Sequence, residues 1–136
     1  MLYLHVSWLL RTDVCAAYLS GEDSAVKDRL LALPVEQVYL ASVVRAELFY
    51  AARRSEAVES HLRALDDFFA PLGTLPFDDA AAARYGAARA ELGAGAGDLS
   101  LADLQLAATA LAADAVLVTR DDRGLRRVPG LRVEVW

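Results

Sequence analysis

Short apolar runs alternate with longer helix-patterned stretches along this chain, and that alternation narrows the fold more than any other feature. Strands joined through helices cannot pair as tight hairpins. They build a largely parallel sheet, which must be covered on both faces. Leu2–Leu10, rich in Leu, Tyr, Val and Trp, reads as a buried first strand. Gln37–Ala41, Leu72–Pro76 and Ala115–Thr119 follow as strands two to four. Arg132–Trp136, with Val133 and Val135 alternating, closes the chain as an edge strand.

The intervening stretches carry helix signals. Asp13–Ser20 is a short helix stopped at Gly21, with Asp13 as its expected N-cap. Glu22–Leu33 places Val26, Leu30, Leu31 and Leu33 at helical spacing and ends before Pro34. Ser42 is the expected N-cap of a helix over Val43–Arg53. Glu56–Phe69 puts Val58, Leu62, Leu65 and Phe69 on one face, and Pro71 ends it. Asp78 caps a helix running to about Leu92, and Leu101–Ala113 is the last. Gly93–Gly97 reads as a flexible link. Its glycines follow a helix rather than a strand, and no Gly-Lys-Ser/Thr is present, so it is not a phosphate loop. The expected architecture is a single α/β domain over residues 1–136, an α/β/α sandwich with a mainly parallel central sheet.

At 136 residues the chain is long enough for one domain with a real core. Its 56% apolar and 24% charged residues are globular rather than disordered in character. The net charge of -5 excludes a wholly basic nucleic-acid clamp. Arg120, Arg123, Arg126, Arg127 and Arg132 still leave room for a local phosphate-binding surface. The one cysteine, Cys15, suits a reducing cytoplasm and lies on an apolar helix face as core filler. Met1–Leu10 is interrupted by His5 and Ser7 and is too short to span a bilayer. It lacks the basic leader and cleavage site of a secretory signal.

Three acids fall beside predicted elements: Glu47 in the helix after the second strand, Asp103 in the last helix, and Asp121 after the fourth strand. Open α/β sheets bind ligands beyond the carboxyl ends of their strands. Carboxylates gathered there repel one another unless a cation holds them, and Mg²⁺ or Mn²⁺ takes oxygen ligands of this kind. Two such ions about 3.5–4 Å apart activate water and stabilise the leaving oxygen in phosphodiester cleavage. His5 and His61 do not form a zinc pair, and no Gly-x-Ser-x-Gly elbow is present. Plainer readings stay open for each acid. Glu47 also fits a solvated helix position, Asp103 a first-turn acid favoured by the helix dipole, and Asp121 with Asp122 an ordinary turn.

Taken together, Leu10–Val14, Ser42–Leu48, Leu72–Asp78, Asp103–Ala108, Leu117–Asp121 and Val128–Glu134 resemble the PIN-domain ribonucleases, specifically the VapC toxins of bacterial toxin–antitoxin pairs. The resemblance implies a parallel α/β/α sandwich, Mg²⁺-dependent (or Mn²⁺-dependent) endonucleolytic cleavage of RNA, and a toxin dimer. It also implies a small VapB-like antitoxin that wraps the toxin and plugs its acidic pocket. It maps the metal-site acids onto Glu47, Asp103 and Asp121, with Thr12 and Thr119 as small polar groups positioning substrate. At position 11 the sequence departs from the family, which has Asp where this chain has Arg11. A guanidinium cannot ligate a metal and brings positive charge to the site. Arg11 is expected to pair with Glu47 or Asp103. Asp13, two residues on, is expected to point elsewhere. Three functions follow. One is a ribonuclease toxin impaired at position 11, another is a PIN-fold binding protein that keeps only antitoxin, RNA or self-association, and the third is a different Mg²⁺-dependent phosphoryl-transfer enzyme on a similar α/β fold.

Overall fold

The computed structural model describes residues 6–97 and 99–136. Strands are β1 (Trp8–Leu10), β2 (Val38–Ala41), β3 (Gly73–Leu75), β4 (Val116–Thr119) and β5 (Val133–Val135). Helices are α1 (Thr12–Ser20), α2 (Ser24–Leu31), α3 (Ser42–Arg53), α4 (Val58–Phe69), α5 (Asp79–Leu92) and α6 (Leu101–Ala113). The strands lie in the order β3-β2-β1-β4-β5, and every pairing is parallel. Trp8, Leu9 and Leu10 are all buried although successive residues face opposite sides, so helices cover both faces of the centre.

Sequence position and sheet position part company at β1. The chain moves outward through β2 and β3, then returns to the other side of β1 for β4 and β5. The loops leaving β1 and β4 therefore diverge, and a crevice opens between their carboxyl ends. Residues 11–13 and 119–121 meet there. The Arg11 N–H donates to the Val118 carbonyl at 2.8 Å, extending the ladder one residue past β1.

Expected boundaries hold within a few residues, with physical reasons for the shifts. Of the expected first strand, residues 1–5 lie outside the described residues, and pairing begins at Trp8. The second helix starts at Ser24 because Asp23 caps it, accepting from the Ala25 and Val26 amides at 3.0 and 3.1 Å. Ser42 is the first helical residue of α3, and the extended Ala41 precedes it with no side-chain cap. The glycine link folds into a short 3₁₀ turn, Gly93–Ala96. On β3, Gly73 stands opposite Tyr39, and a Cβ there would lie 2.7 Å from the tyrosine ring. The strand needs glycine at that place so that the aromatic ring can lie across it.

Candidate active site

A cleft of about 310 Å³ opens at the carboxyl end of the sheet, lined by Arg11, Thr12, Asp13, Ala16, Glu47 and Asp103. Each wall has a local cause. Arg11 is the extended residue between β1 and α1. Thr12 and Asp13 open α1. Glu47 lies one turn into α3, whose Val44 and Leu48 are buried and turn the neighbouring face outward. Asp103 lies in the first turn of α6, and its amide donates to the Ser100 hydroxyl oxygen at 3.0 Å. Its carboxylate thus sits at the positive end of the helix dipole and in the cleft at once.

The guanidinium of Arg11 fills the middle. Its Nε donates to Asp103 Oδ1 at 2.8 Å and its Nη2 to Asp103 Oδ2 at 3.0 Å, a two-pronged pair. Its Nη1 lies 3.1 Å from Asp13 Oδ2. The hydrogen bonds to Asp103 hold Arg11 protonated more firmly than usual, while burial opposes them and the charges of Asp103 and Asp13 add to them. Glu47 is not its partner. Glu47 Oε1 instead accepts from the Thr12 hydroxyl at 2.6 Å.

Asp13 is the residue that sequence reasoning misplaced. It is the second residue of α1, not the cap. Its Oδ2 accepts from the Thr119 hydroxyl and the Arg120 amide, both at 2.9 Å, and its Oδ1 from the Val14 amide at 2.9 Å. It points into the cleft because β4 lies beside β1, a neighbour that no local pattern reveals. Thr119 is fully buried, and its hydroxyl orders Asp13 and the Asp121 carbonyl.

Asp121 stands beside the cleft and does not line it. Its carboxylate turns to Arg123, accepting from Nε at 2.6 Å and from the backbone amide at 3.2 Å. The Arg123 side-chain bond, with help from the Arg123 amide and the charges of Arg123 and Arg11, holds Asp121 below the usual carboxylate range. Of the expected acids, Glu47 and Asp103 therefore share the cleft while Asp121 is turned aside. Among the described residues no group of three or more His, Cys, Asp or Glu is arranged to hold a metal ion. With both Asp103 oxygens engaged by Arg11, the donor set does not fit a divalent cation.

The arginine-rich end is not a bare basic surface. Arg120 pairs with Asp23, Arg123 with Asp121, Arg126 with Asp122 and Arg132 with Asp114. Arg127 donates to the Gly95 carbonyl at 2.9 Å and ties down the glycine link. Cys15 is buried core, as expected, and burial pushes its thiol well above the ordinary range. No helix among the described residues is long and apolar enough to cross a membrane.

Residues 9–131 match the PIN domain family. The tRNA(fMet)-specific endonuclease VapC of Shigella flexneri is 30% identical over 131 residues, covering 96% of this chain and 98% of that protein. Ribonuclease VapC2 of Rickettsia felis is 29% identical, covering 95% and 97%. Among solved structures, VapBC2 of Rickettsia felis bound to a promoter DNA fragment superposes with a TM-score of 0.88 at 28% identity, covering 96% of this chain and 99% of that one. DNA-bound VapBC of Salmonella typhimurium gives 0.88 at 29%, covering 96% and 98%. A parallel sheet in this order, a carboxylate cleft at its carboxyl end and a match over nearly the whole length lead to one conclusion: the chain belongs to the PIN domain family, in its VapC branch.

Proposed function

We propose that this chain is the toxin partner of a toxin–antitoxin pair, a VapC-like endoribonuclease bound by a small VapB-like antitoxin, with its nuclease chemistry suppressed by Arg11. The observation that carries this reading is the cleft itself, which gathers Asp13, Glu47 and Asp103 at the carboxyl end of the sheet with the Arg11 guanidinium locked between Asp13 and Asp103. The relatives are named as a tRNA(fMet)-specific endonuclease and a ribonuclease, and several structural neighbours are VapBC complexes. A form with aspartate at position 11 would take Mg²⁺ or Mn²⁺, both of which favour oxygen ligands. The setting is the cytoplasm, the assembly is a toxin dimer with antitoxin, and residues 1–136 form one domain.

The antitoxin surface has support of its own. An apolar cleft of about 310 Å³ runs between α1, α3 and α4, walled by Leu19, Leu48, Ala52, Ala64 and Leu65. Tyr50 is 63% exposed on α3. Phe69, by contrast, is core, so the aromatic residues of α3 and α4 divide between interior and surface. An amphipathic helix fits such a groove. The bidentate Arg11–Asp103 pair favours a second reading, a PIN-fold protein that binds its antitoxin and does not cut RNA.

Co-expression with candidate VapB-like antitoxins tests the partner. RNA cleavage with Mg²⁺ or Mn²⁺, by the chain and by Arg11→Asp, tests the chemistry. Cleavage restored in Arg11→Asp and abolished by adding Asp103→Asn supports the toxin reading. A monodisperse monomer that captures no small partner, with no cleavage by either form, refutes it.

A further inference from the structure

We propose that Arg11 is a resident counter-ion that has replaced the divalent cation, and that Asp13, not Glu47, is the second carboxylate fixing it there. The inference rests on the reading of this cleft as a PIN-family nuclease site, and it is decided by metal binding and melting, while RNA cleavage enters only to separate its failure from the failure of that reading.

All three guanidinium nitrogens are committed. Nε and Nη2 grip Asp103 as a fork, and Nη1 meets Asp13 at 3.1 Å. Asp13 is itself held by Thr119, Arg120 and Val14, so the arm is anchored at both ends. The side chains of Arg11, Asp13 and Asp103 are only 22%, 24% and 15% exposed, and partial burial strengthens ionic hydrogen bonds relative to water. The cluster joins the end of β1, the start of α1, the first turn of α6 and the end of β4. The chain thus supplies its own cross-link at the place where a cation would otherwise be needed to hold the acids together. Glu47 remains outside it, satisfied by Thr12.

Two consequences separate this arrangement from simple loss of a ligand. An arriving dication meets a fixed positive charge and finds both Asp103 oxygens occupied. At a few ångströms, the charge alone weakens binding by about one to three decades. The cleft also keeps its shape without metal, because its acids are already neutralised in part.

Mn²⁺ alone is the probe, with free Mn²⁺ measured by electron paramagnetic resonance and folding by circular dichroism in EDTA and in Mn²⁺. For the chain as it stands, we expect no retained Mn²⁺ at micromolar concentrations and the same melting midpoint in both media. Arg11→Asp should bind Mn²⁺ at least about tenfold more tightly and melt higher in Mn²⁺ than in EDTA, and Asp103→Asn should remove both gains. If Arg11→Asp folds only with Mn²⁺, the proposal stands. If it folds in neither medium, Arg11→Gln decides. A lower EDTA midpoint than the parent together with some Mn²⁺ binding supports the counter-ion, and the absence of either overturns it. Mn²⁺ bound by the parent chain and lost on Asp103→Asn, or an Arg11→Asp form that binds no better, also overturns it. An Arg11→Asp form that binds Mn²⁺ yet cleaves no RNA would leave the counter-ion intact and sink the ribonuclease reading instead.

Discussion

Replacing Asp13 with Ala should cost about 2–3 kcal/mol, a figure smaller than its contacts would suggest when summed. Four donors approach its carboxylate, and a hydrogen bond to a charged group contributes about 1.5–3 kcal/mol. Two of those donors have somewhere else to go. The Val14 amide already reaches the Arg11 carbonyl at 3.1 Å, and the single Thr119 hydroxyl proton can turn to the Asp121 carbonyl at 2.9 Å. The Arg120 amide is exposed and finds water. What is lost without replacement is the Arg11 arm and part of the tie to β4. For a chain of this length the unfolding entropy is about 0.3 kcal/mol per kelvin, so the midpoint should fall by about 7–10 °C. Asp13→Asn should fall less. Its oxygen can serve either the Oδ2 donors or Val14, but its amide then faces the donors on the other side. Urea denaturation of Asp13→Ala, Arg11→Met and the double variant closes a cycle, and a coupling of at least about 0.5 kcal/mol is expected. Additive losses, or a midpoint for Asp13→Ala within about 2 °C of the parent, would show that Arg11 does not rest on Asp13.

Three further outcomes are expected. Gly124→Ala should cost about 1–2 kcal/mol, because φ is +82° there and the new Cβ would lie 2.8 Å from Arg127 Nη2. Faster amide exchange around residues 93–97 would report the loosened Arg127–Gly95 tie. Asp23→Ala should lose about 1 kcal/mol of helix cap in urea denaturation, and Asp23→Asn should keep most of it. Equal losses in both would instead assign the stability to the exposed Arg120 pair, which ordinarily contributes little. Cys15 should resist disulfide-exchange reagents in the native chain at pH 8 and react on unfolding. Its folded pKa lies above the unfolded value, so its contribution is full below about pH 8.5 and stability declines as pH rises beyond that. Rapid native labelling would contradict the packing of α1.

What the sequence made legible was whatever depends on neighbours along the chain. Val58, Leu62, Leu65 and Phe69 announce the buried stripe of α4, and Leu65 and Phe69 are buried. The β-like runs at residues 38–41 and 116–119 are strands because their residues are apolar and flanked by helices. Arg11 was legible as a misfit, and its pairing with Asp103 followed from charge. The other half of that pairing was not legible. Asp13 acquires its role from β4, and nothing near residue 13 encodes that β4 lies next to β1. Asp121 departs from the expected convergence for the opposite reason. A local partner two residues on, Arg123, captures its carboxylate at 2.6 Å before the cleft can.

The return of the chain to the far side of β1 also sets a clock. Asp13 and the Thr119 hydroxyl that holds it are 106 residues apart, and Arg11 and Asp103 are 92 apart. Contacts of such separation form late, since the intervening loop must be closed before they contribute. During synthesis, all six helices and three of the five strands emerge before the residues that hold Asp13. The cleft is complete only once β4 has been made and inserted beside β1, because Thr119 and Arg120 fix Asp13 there. A chain interrupted before residue 116 holds every residue of α1 and α3 and lacks the neighbour that turns Asp13 inward. An unfinished chain of that kind carries Asp13 without the hydroxyl and the amide that hold it in place.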